Sequence, residues 1–334
     1  VFSSFIGRAE SLEGVICQAR RSIASIGGPR HSIILGETGT GKTMLAKSMY
    51  YFARSINVLK PEAPFIDVNC AQFTNPDIAA MEIFGTEKGA FTGAADKPGL
   101  VELANGGILC LDEAHTLVQY QNMLLKLIES GVVRRIGGRT DREVDLIVIA
   151  ASTKDLKKEF IPELYQRLAQ YKIEMPPLRQ RTLAEKQLLL NYFVDQYTKR
   201  VRARYNINLT VRFSEKAKAI IFQGKYERNI RQYRDVINAS IDAAAPLVNS
   251  VVDIGNDFKI TVGAEHIPLD MIEEKILVEP ERQGADSELN QIILALADKG
   301  FGARRIAAEL QRKGYPLEYY HVAYKLKILK AARP

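Results

Sequence analysis

The segment GETGTGKT at residues 36–43 constrains the fold more than any other part of the sequence. It satisfies the pattern G-x-x-x-x-G-K-[ST] between an apolar run at 31–36 (HSIILG), which predicts a buried strand, and a helical pattern at 43–55. Its glycines let backbone N–H groups turn inward, and the helix N-terminus adds the positive end of its dipole. The segment therefore predicts a phosphate-binding loop, in which Lys42 reaches the β- and γ-phosphates of a nucleotide and Thr43 ligates magnesium. The expected nucleotide-binding residues of this loop are Gly36, Glu37, Thr38, Gly39, Thr40, Gly41, Lys42 and Thr43.

Strands that alternate with helices follow this loop. Residues 63–69, residues 106–112 and part of residues 142–152 predict three further apolar strands, and residues 120–131 show a helical pattern. Such alternation favours a parallel sheet with both faces covered by helices. The predicted fold class is therefore α/β.

Two later strand ends carry polar side chains suited to nucleotide hydrolysis. The run ILCLDEAH at 108–115 ends an apolar strand with two carboxylates, of which Asp112 suits magnesium binding and Glu113 suits polarising an attacking water. Thr153 follows the fourth strand, next to Ser152. We expect its hydroxyl to lie beside the γ-phosphate.

The sequence changes character after PPLRQR at residues 176–181. A long helical pattern at 183–205 is followed by Ser214, a plausible N-cap, and by more helical patterns, so the second unit is expected to be all-helical. PERQGADS is polar and contains Pro and Gly, which indicates a linker before three short helical patterns. The expected units are an α/β domain at 1–175, a helical unit at 176–279, a linker at 280–287 and a tail domain at 288–334.

Composition limits the partners and the location. A net charge of +7 with a pI near 9.1 permits binding to a polyanion. Cys17, Cys70 and Cys110 are too few and too widely spaced for a disulfide framework or a zinc pattern, which fits a reducing cytoplasm. No apolar run approaches the roughly 18 residues that span a bilayer, so no membrane association is expected.

The composition of the hexamer GAFTGA at residues 89–94 does not favour a helix, a strand or a buried core segment, yet the hexamer contains the aromatic residue Phe91. An exposed aromatic ring is a hazard for a monomer but a contact surface in an assembly. The hexamer lies between the phosphate-binding loop and the two carboxylates, so it can be linked to the γ-phosphate through the strand that ends with them. We therefore expect an exposed loop with Phe91 and Thr92 at its tip.

Four segments, taken in chain order, resemble one family: GETGTGKT, GAFTGA, GGILCLDEAH and LYQRLAQYKIEMPPLRQR. Together they resemble the central ATPase domain of the bacterial enhancer-binding proteins, the AAA+ activators of RNA polymerase that carries sigma-54. The resemblance covers about residues 3–245, and the hexamer is specific to that family. It implies an AAA+ parallel-sheet P-loop ATPase with a helical lid and a C-terminal helix-turn-helix domain.

The resemblance also implies cofactors and partners. These are ATP and Mg²⁺, a ring of six or seven copies with ATP between subunits, sigma-54 RNA polymerase, and double-stranded DNA at an upstream activating site. In the family, ATP hydrolysis moves the GAFTGA loop, which touches sigma-54 and remodels the closed promoter complex. The implied sigma-54 contacts are Gly89, Ala90, Phe91, Thr92, Gly93 and Ala94.

Further site residues are implied in the same way. Asn69 matches the asparagine that holds the Walker B glutamate away from water in a switched-off state, and Thr153 takes the first sensor position. Arg231 resembles the second-sensor arginine of the lid, and Arg167 matches an arginine that reaches the neighbour's γ-phosphate. That arginine acts only in trans, so the ring is needed for turnover. Ile6 and Gly7 complete the expected nucleotide-binding set.

Three positions depart from the family pattern. FIPEL has Ile161 where the family usually has arginine, so one of two trans-acting arginines is missing and Arg167 is given the role. Ala114 and His115 follow the acidic pair where the family usually has a small or apolar residue and glycine. Arg228 takes the glycine position of the lid motif, which changes the entry to the lid helix.

The tail predicts a helix, a turn and a second helix with several basic side chains, which suits phosphate contacts and entry into the major groove. Its turn, RKGYPLE, is a few residues longer than the compact family turn. A basic helical hairpin that serves oligomer contacts is the alternative. The expected DNA-binding residues are Arg304, Arg305, Tyr319, Tyr320, His321, Lys325 and Lys327.

Other functional classes remain open at this point. Residues 112–115 spell the box of one helicase superfamily, but the sequence shows no second nucleotide-binding domain of the helicase kind. An AAA+ remodeller of another protein target would keep the nucleotide motifs without needing GAFTGA or a DNA-binding tail. A DNA-binding repressor with a vestigial ATPase is opposed by the intact Lys42, Asp112 and Glu113.

Overall fold

The computed structural model describes residues 1–73, 75–90, 94–246, 257–272 and 285–312, together with Tyr319, Val322, Ala323, Lys325 and Leu326. Its strands are β1 (Ser32–Leu35), β2 (Phe65–Asn69), β3 (Gly85–Thr86), β4 (Lys97–Pro98), β5 (Ile108–Asp112), β6 (Val132–Arg134), β7 (Asp141–Glu143), β8 (Ile147–Ser152), β9 (Tyr171–Glu174), β10 (Asn208–Phe213) and β11 (Asp257–Val262). Its α-helices are α1 (Glu13–Ile23), α2 (Lys42–Ser55), α3 (Pro76–Phe84), α4 (Leu100–Leu103), α5 (Gln121–Ser130), α6 (Leu156–Glu159), α7 (Pro162–Leu168), α8 (Leu183–Tyr205), α9 (Glu215–Gln223), α10 (Asn229–Ala244), α11 (Ala285–Asp298) and α12 (Ala303–Arg312).

The main sheet has five parallel strands in the order β2-β5-β8-β1-β9. β1 pairs with β8 on one side, where Ile33 faces Ala150, and with β9 on the other. All five strands run the same way, so the carboxyl ends of β1, β8 and β5 meet at one edge of the sheet. That edge includes the point where the strand order reverses, which is the usual ligand site of an open α/β sheet.

Alternate residues of each central strand pack on opposite faces of the sheet. In β5, Leu109 and Leu111 belong to the core beneath α3, α5 and α7, whereas Ile108 and Cys110 belong to the core beneath α1 and α2. Both faces are therefore buried, which explains why the sequence of this strand is apolar throughout. Burial raises the pKa of the Cys110 thiol well above its usual value, in keeping with a core role.

The structure confirms the four strands predicted from apolar runs and adds a fifth. β9 (YKIE) was not predicted, because only Ile173 of its side chains is buried and its flanking residues are polar or charged. It pairs with β1 at the end of the sheet, where one edge faces solvent. The small pairs β3–β4 and β6–β7 are antiparallel and lie outside the main sheet.

The expectation of an all-helical second unit is wrong in one respect. β10 and β11 pair in parallel, from Asn208 opposite Asp257 to Phe213 opposite Val262. Each strand buries only part of one face, and α9 and α10 separate the two in sequence, so no local pattern links them. Ser214 is an N-cap as predicted, since its Oγ accepts from the Ala217 N–H at 3.2 Å.

The described part of the tail consists of α11 and α12 with a small core of their own. That core contains Ile293, Ile306, Leu310 and Val322. α11 begins at Ala285, so the last three residues of the predicted linker are helical. The helix-turn-helix stays a prediction, because most residues of its predicted last helix lie outside the described residues. Within the described ranges, none of the helices combines the length and the apolar character that a bilayer crossing needs.

Candidate functional site

The phosphate-binding loop at 36–43 leaves β1 and enters α2 at the carboxyl edge of the sheet. Gly39 and Gly41 have φ values of +77° and +102°, a region that favours glycine. A Cβ on Gly39 would lie 2.1 Å from the backbone oxygen of Arg228, where α10 begins. Glycine is therefore required at this position both by the backbone conformation and by the close approach of the second unit.

Lys42 lies over this loop with only 6% of its surface exposed. Its Nζ donates to the carbonyl oxygens of Gly36 at 2.9 Å and of Glu37 at 3.3 Å. Burial lowers the pKa of this ammonium, and the carboxylates of Glu113 and Asp112 partly offset that effect. A buried cation is thus held at the place where the loop would receive phosphates.

The predicted metal ligands meet at the same edge. Thr43 Oγ1 donates to Asp112 Oδ2 at 2.8 Å, which joins the first turn of α2 to the end of β5. The other oxygen, Oδ1, accepts from the Glu113 N–H at 2.9 Å. The hydroxyl and the carboxylate are hard oxygen ligands within reach of one cation, as magnesium requires.

Glu113 turns its side chain from β5 towards the end of β8. Its φ of +52° is uncommon for a residue with a Cβ and costs about 1–2 kcal/mol. The turn is stabilised by Thr116, whose N–H and hydroxyl donate to the Glu113 carbonyl at 3.0 and 2.9 Å. Thr153 Oγ1 donates to Glu113 Oε2 at 2.8 Å, so the two residues predicted from separate strand ends are in direct contact.

A cleft of about 450 Å³ lies between this edge and the second unit. Asn69 lines it, and its Oδ1 accepts from the Ala71 N–H at 3.0 Å. The role of Asn69 as a partner of the glutamate stays a prediction. The predicted site residues that line the cleft are Ile6, Thr38, Gly39, Thr40, Gly41, Lys42, Thr43, Asn69, Asp112, Glu113 and Arg231.

A buried ion pair that the sequence did not indicate lies beside Ile6 and Gly7. Arg181 and Glu185 are both almost fully buried, and Ser11 bridges them: its hydroxyl lies 2.6 Å from Arg181 Nη1 and 2.7 Å from Glu185 Oε1. A Cβ on Gly7 would lie 2.2 Å from Glu185 Oε1. The segment that contains Gly7 and Ser11 is thereby held against α8.

Asn229 is a second residue that sequence reasoning missed. It is 1% exposed and has a φ of +50°, which asparagine tolerates better than most residues. Its Nδ2 donates to Glu37 Oε2 and to the Thr38 carbonyl, both at 3.1 Å, and its Oδ1 accepts from the Leu178 N–H at 2.8 Å. The first residue of α10 thus joins the phosphate-binding loop to the segment that connects the two units.

Glu37 reinforces this contact. Arg179 donates to its two carboxylate oxygens at 2.8 and 2.6 Å, and this paired hydrogen bond lowers the pKa of Glu37. Both side chains are partly exposed, so the ion pair alone contributes modestly to stability. Its main consequence is geometric, because it orients the carboxylate that Asn229 also contacts.

We expect Asn229→Ala to lower the free energy of unfolding by about 2–4 kcal/mol, through unpaired buried groups and strain at a positive φ. Nucleotide affinity should fall as well, because the loop loses its contact with α10. Asn229→Gly also removes the side chain, but glycine adopts a positive φ without strain. This variant should therefore be the less destabilised of the two. Chemical denaturation and nucleotide titration measure both effects, with Asn238→Ala on the same helix as a control. Unchanged values for Asn229→Ala would contradict this role.

Arg167 lies on α7, away from the cleft of its own chain. Its Nε donates to Glu129 Oε1 at 2.9 Å, and its side chain is 57% exposed. Ile161, at the position of the missing arginine, precedes α7 and packs against the core instead. Its N–H donates to Gln121 Oε1 at 2.7 Å. Ile161 therefore contributes to packing, whereas Arg167 lies at the surface.

The base of the GAFTGA loop is built from two antiparallel pairs. β3 and β4 hold its ends, and Thr86 Oγ1 donates to the Ala95 carbonyl at 2.8 Å. Ala90 lies against Gly137 of the neighbouring β6–β7 turn. A Cβ added to Gly137 would lie 2.3 Å from the Cβ of Ala90. Gly89 has a φ of +86°, as a turn there requires. Phe91, Thr92 and Gly93 lie outside the described residues, so the predicted tip stays a prediction.

One buried arginine anchors this base. Arg135, 8% exposed, donates through Nε and Nη2 to the two carboxylate oxygens of Glu102 at 2.7 and 2.8 Å. Its Nη1 donates to Asp96 at 2.8 Å. Arg135, which follows β6, thus joins this strand pair to α4 and to Asp96 in the segment that leaves the loop.

The predicted DNA-binding residues fall partly within the described tail. Arg305 stacks on the ring of Phe301 and Arg304 on that of Tyr319, at 4.1 and 5.3 Å from the ring centroids. The Tyr319 hydroxyl donates to the Glu265 carbonyl at 2.9 Å, which joins the tail to the segment after β11. Tyr320, His321 and Lys327 lie outside the described residues, and DNA contact by any of these side chains stays a prediction.

The sequence matches a known family model. The model described as the sigma-54 interaction domain matches residues 5–174, just over half of the 334 residues. The match contains the phosphate-binding loop, GAFTGA, the acidic pair, Thr153 and Arg167.

Three curated relatives are similar over much of the chain. The transcriptional regulatory protein LevR of Bacillus subtilis (strain 168) is 35% identical over 209 residues, which are 62% of this chain and 22% of LevR. The Psp operon transcriptional activator of Escherichia coli (strain K12) is 34% identical over 216 residues, 63% of each protein. The Nif-specific regulatory protein of Rhodobacter capsulatus is 33% identical over 269 residues, 78% of this chain and 42% of that protein. The chain thus spans between 22% and 63% of the length of these relatives.

A solved structure has the same fold. NtrX from Brucella abortus, crystallised in complex with ATP, superposes with a TM-score of 0.63 at 23% identity, covering 98% of this chain and 69% of that chain. This likeness confirms the predicted α/β fold. The family model, which matches more than half of the residues, shows that the chain belongs to the sigma-54-dependent enhancer-binding proteins.

Proposed function

We propose that the chain is an ATP-dependent transcription activator, which hydrolyses ATP to remodel the closed promoter complex of sigma-54 RNA polymerase. The observation that carries this proposal is the pair of 2.8 Å contacts Thr43–Asp112 and Thr153–Glu113. They bring a loop hydroxyl, a metal-binding carboxylate and a candidate base to one edge of one cleft. Family membership favours this function over the helicase and over an AAA+ remodeller of another target.

The residues of the cleft have distinct roles in the proposed hydrolysis. The backbone N–H groups of the loop and Lys42 bind the β- and γ-phosphates and neutralise their charge. Glu113 polarises the attacking water, and Thr153 orients Glu113. Arg231, which lines the cleft from α10, contacts the nucleotide from the second unit.

Mg²⁺ is the cation that this chemistry requires, and the residues present fit it. Thr43 and Asp112 would supply two oxygen ligands from the protein, beside oxygens of the phosphates and of water. Bound there, Mg²⁺ would neutralise charge that develops on the phosphate oxygens. The protein's own contribution is to hold the two ligands at the mouth of the loop.

A ring of six or seven copies would complete the site, because Arg167 lies on the surface of its own chain. The exposed position of this arginine supports action in a neighbour's cleft. The basic tail would bind double-stranded DNA upstream of the promoter, with Arg304, Arg305 and Lys325 neutralising phosphates. A cytoplasmic location follows from these partners.

In vitro transcription is the decisive test. Polymerase carrying sigma-54 and polymerase carrying the housekeeping sigma factor would each be assayed on their own promoters, with and without ATP. We expect activation only with sigma-54, and only when hydrolysable ATP is present. ATP hydrolysis without activation of sigma-54 polymerase would instead favour a remodeller of another target.

The variant Thr92→Ala tests whether ATP hydrolysis can be separated from open-complex formation. We expect this variant to keep ATPase activity, because Thr92 is remote in sequence from the nucleotide motifs, and to lose open-complex formation at a sigma-54 promoter. The measurement is open-complex yield beside ATP turnover in the same preparation. Glu62→Ala, in an exposed turn far from the loop in sequence, is the matched control. Full activation by Thr92→Ala would reject the loop assignment.

A further inference from the structure

We propose that His115 is a positioning residue for Glu113. Its Nδ1–H donates to Oε2 of the carboxylate, the oxygen that Thr153 also holds, and this leaves Oε1 for the attacking water. The inference rests on the proposed ATPase function and assigns a role to a position where this chain departs from its family's usual residue.

His115 lies between the acidic pair and the end of β8. It is the middle residue of the 3-10 helix Ala114–Thr116, which follows Glu113 directly. Its side chain is 12% exposed, so the ring is held in place by its surroundings. Nδ1 is 3.3 Å from Glu113 Oε2 and 3.2 Å from Ser152 Oγ. The same ring nitrogen therefore faces the candidate base and the last residue of the neighbouring strand.

The hydrogen-bond partners of Ser152 decide which ring nitrogen carries the proton. Its hydroxyl donates to the Lys154 carbonyl at 2.8 Å, and its Oγ accepts from the Lys154 N–H at 3.0 Å. A serine hydroxyl has one proton, and Ser152 donates it to the Lys154 carbonyl oxygen. Towards His115, both Ser152 Oγ and the Glu113 carboxylate are thus acceptors. An unprotonated Nδ1 would set its own lone pair against these two acceptors, so Nδ1 is the nitrogen that carries the proton.

The consequence for Glu113 is a fixed orientation. The Thr153 hydroxyl, just after β8, donates to Oε2, and Nδ1 of the His115 ring on the 3-10 helix lies 3.3 Å from the same oxygen. The backbone of Glu113 has a positive φ, so its side chain leaves the strand in an unusual direction that outside contacts must stabilise. A base is effective only when the accepting oxygen stays within hydrogen-bond reach of the water. Holding Oε2 restricts the rotation that would move Oε1 away.

Asn69 is not needed for this arrangement. Its Oδ1 is used by the Ala71 N–H at the start of a 3-10 helix, although the side chain lines the same cleft. The side chains near Oε2 of the glutamate are instead Thr153, after β8, and His115, on the 3-10 helix. A glycine at position 115 would supply no donor there.

A matched pair of variants tests the proposal in the full chain. His115→Asn places an amide nitrogen as many bonds from the backbone as Nδ1, and His115→Gln places one as many bonds away as Nε2. We expect Asn to turn over ATP close to the parent rate and Gln to lose about 3- to 10-fold in kcat, the size expected for losing a hydrogen bond to a charged group. The affinity for ATP and the unfolding midpoint should be the same in both. A Gln variant with the parent kcat, or equal losses in both variants, would overturn the proposal.

A second measurement is independent of catalysis. The chain contains four histidines, and ¹⁵N-histidine labelling distinguishes the two neutral tautomers by their ring nitrogen shifts. The resonance that disappears in His115→Asn identifies His115. We expect the Nδ1–H tautomer of the neutral ring, and the Nε2–H tautomer would overturn the proposal. If the parent chain hydrolysed no ATP, the proposed function would fail, while this spectrum would still show whether Nδ1, the nitrogen that faces Glu113 and Ser152, carries the proton.

Discussion

Glu113→Gln is expected to lower ATP turnover by about 10²–10⁴-fold while ATP still binds. Glutamine has the same size and can still accept from Thr153, so the fold of this edge is preserved. It cannot take a proton from water, because an amide oxygen is a far weaker base than a carboxylate. Steady-state hydrolysis measures the loss, and equilibrium titration with ATP measures the retained affinity.

The control for this variant is Glu62→Gln, an equal change of charge at an exposed turn outside the site. It should leave both turnover and affinity as they are. Turnover by Glu113→Gln at the parent rate would show that another group activates the water. A parallel loss of ATP binding would show instead that Glu113 acts on the nucleotide itself.

Arg167→Ala is expected to lower kcat by about 10³-fold or more, the scale of an arginine that stabilises charge on a transferring phosphoryl group. ATP affinity should change less, because Arg167 lies outside its own cleft. The loss must be separated from the loss of the ion pair with Glu129, whose Oε1 is 2.9 Å from Arg167 Nε. Glu129→Ala removes that ion pair but keeps the arginine, so this variant should stay active.

Mixing two inactive variants tests whether the arginine acts in trans. A chain with Arg167→Ala keeps its own Glu113, and a chain with Glu113→Gln keeps its own Arg167. Where the first binds ATP and the second is its neighbour, the interface is complete, so the mixture should regain part of the activity. Specific activity of the parent should also rise with protein concentration. No recovery in the mixture, or activity that is independent of concentration, would contradict action between subunits.

Local sequence was sufficient for the parts of the site that depend on one strand end each. The glycine spacing of the loop, the acidic pair after β5 and Thr153 after β8 are all local patterns, and parallel strands bring such ends together. That geometry explains why Thr43 contacts Asp112 although the two are 69 positions apart. The predictions failed where an element lacks a strong pattern of its own, as for β9, or depends on a distant partner, as for β10 and β11.

Sequence patterns alone predicted the fold class, the phosphate-binding loop and Glu113 as the candidate base. The contacts that hold these groups depend on residues brought together by the fold. Asn229 contacts Glu37 from 192 positions away, Glu185 contacts Ser11 from 174 positions away, and the His115 ring contacts Ser152 from 37 positions away. The physical reason is that a polar side chain has many possible partners along the chain. Packing selects one of them, because it buries at least one group of each pair, and a buried polar group needs a partner in the protein.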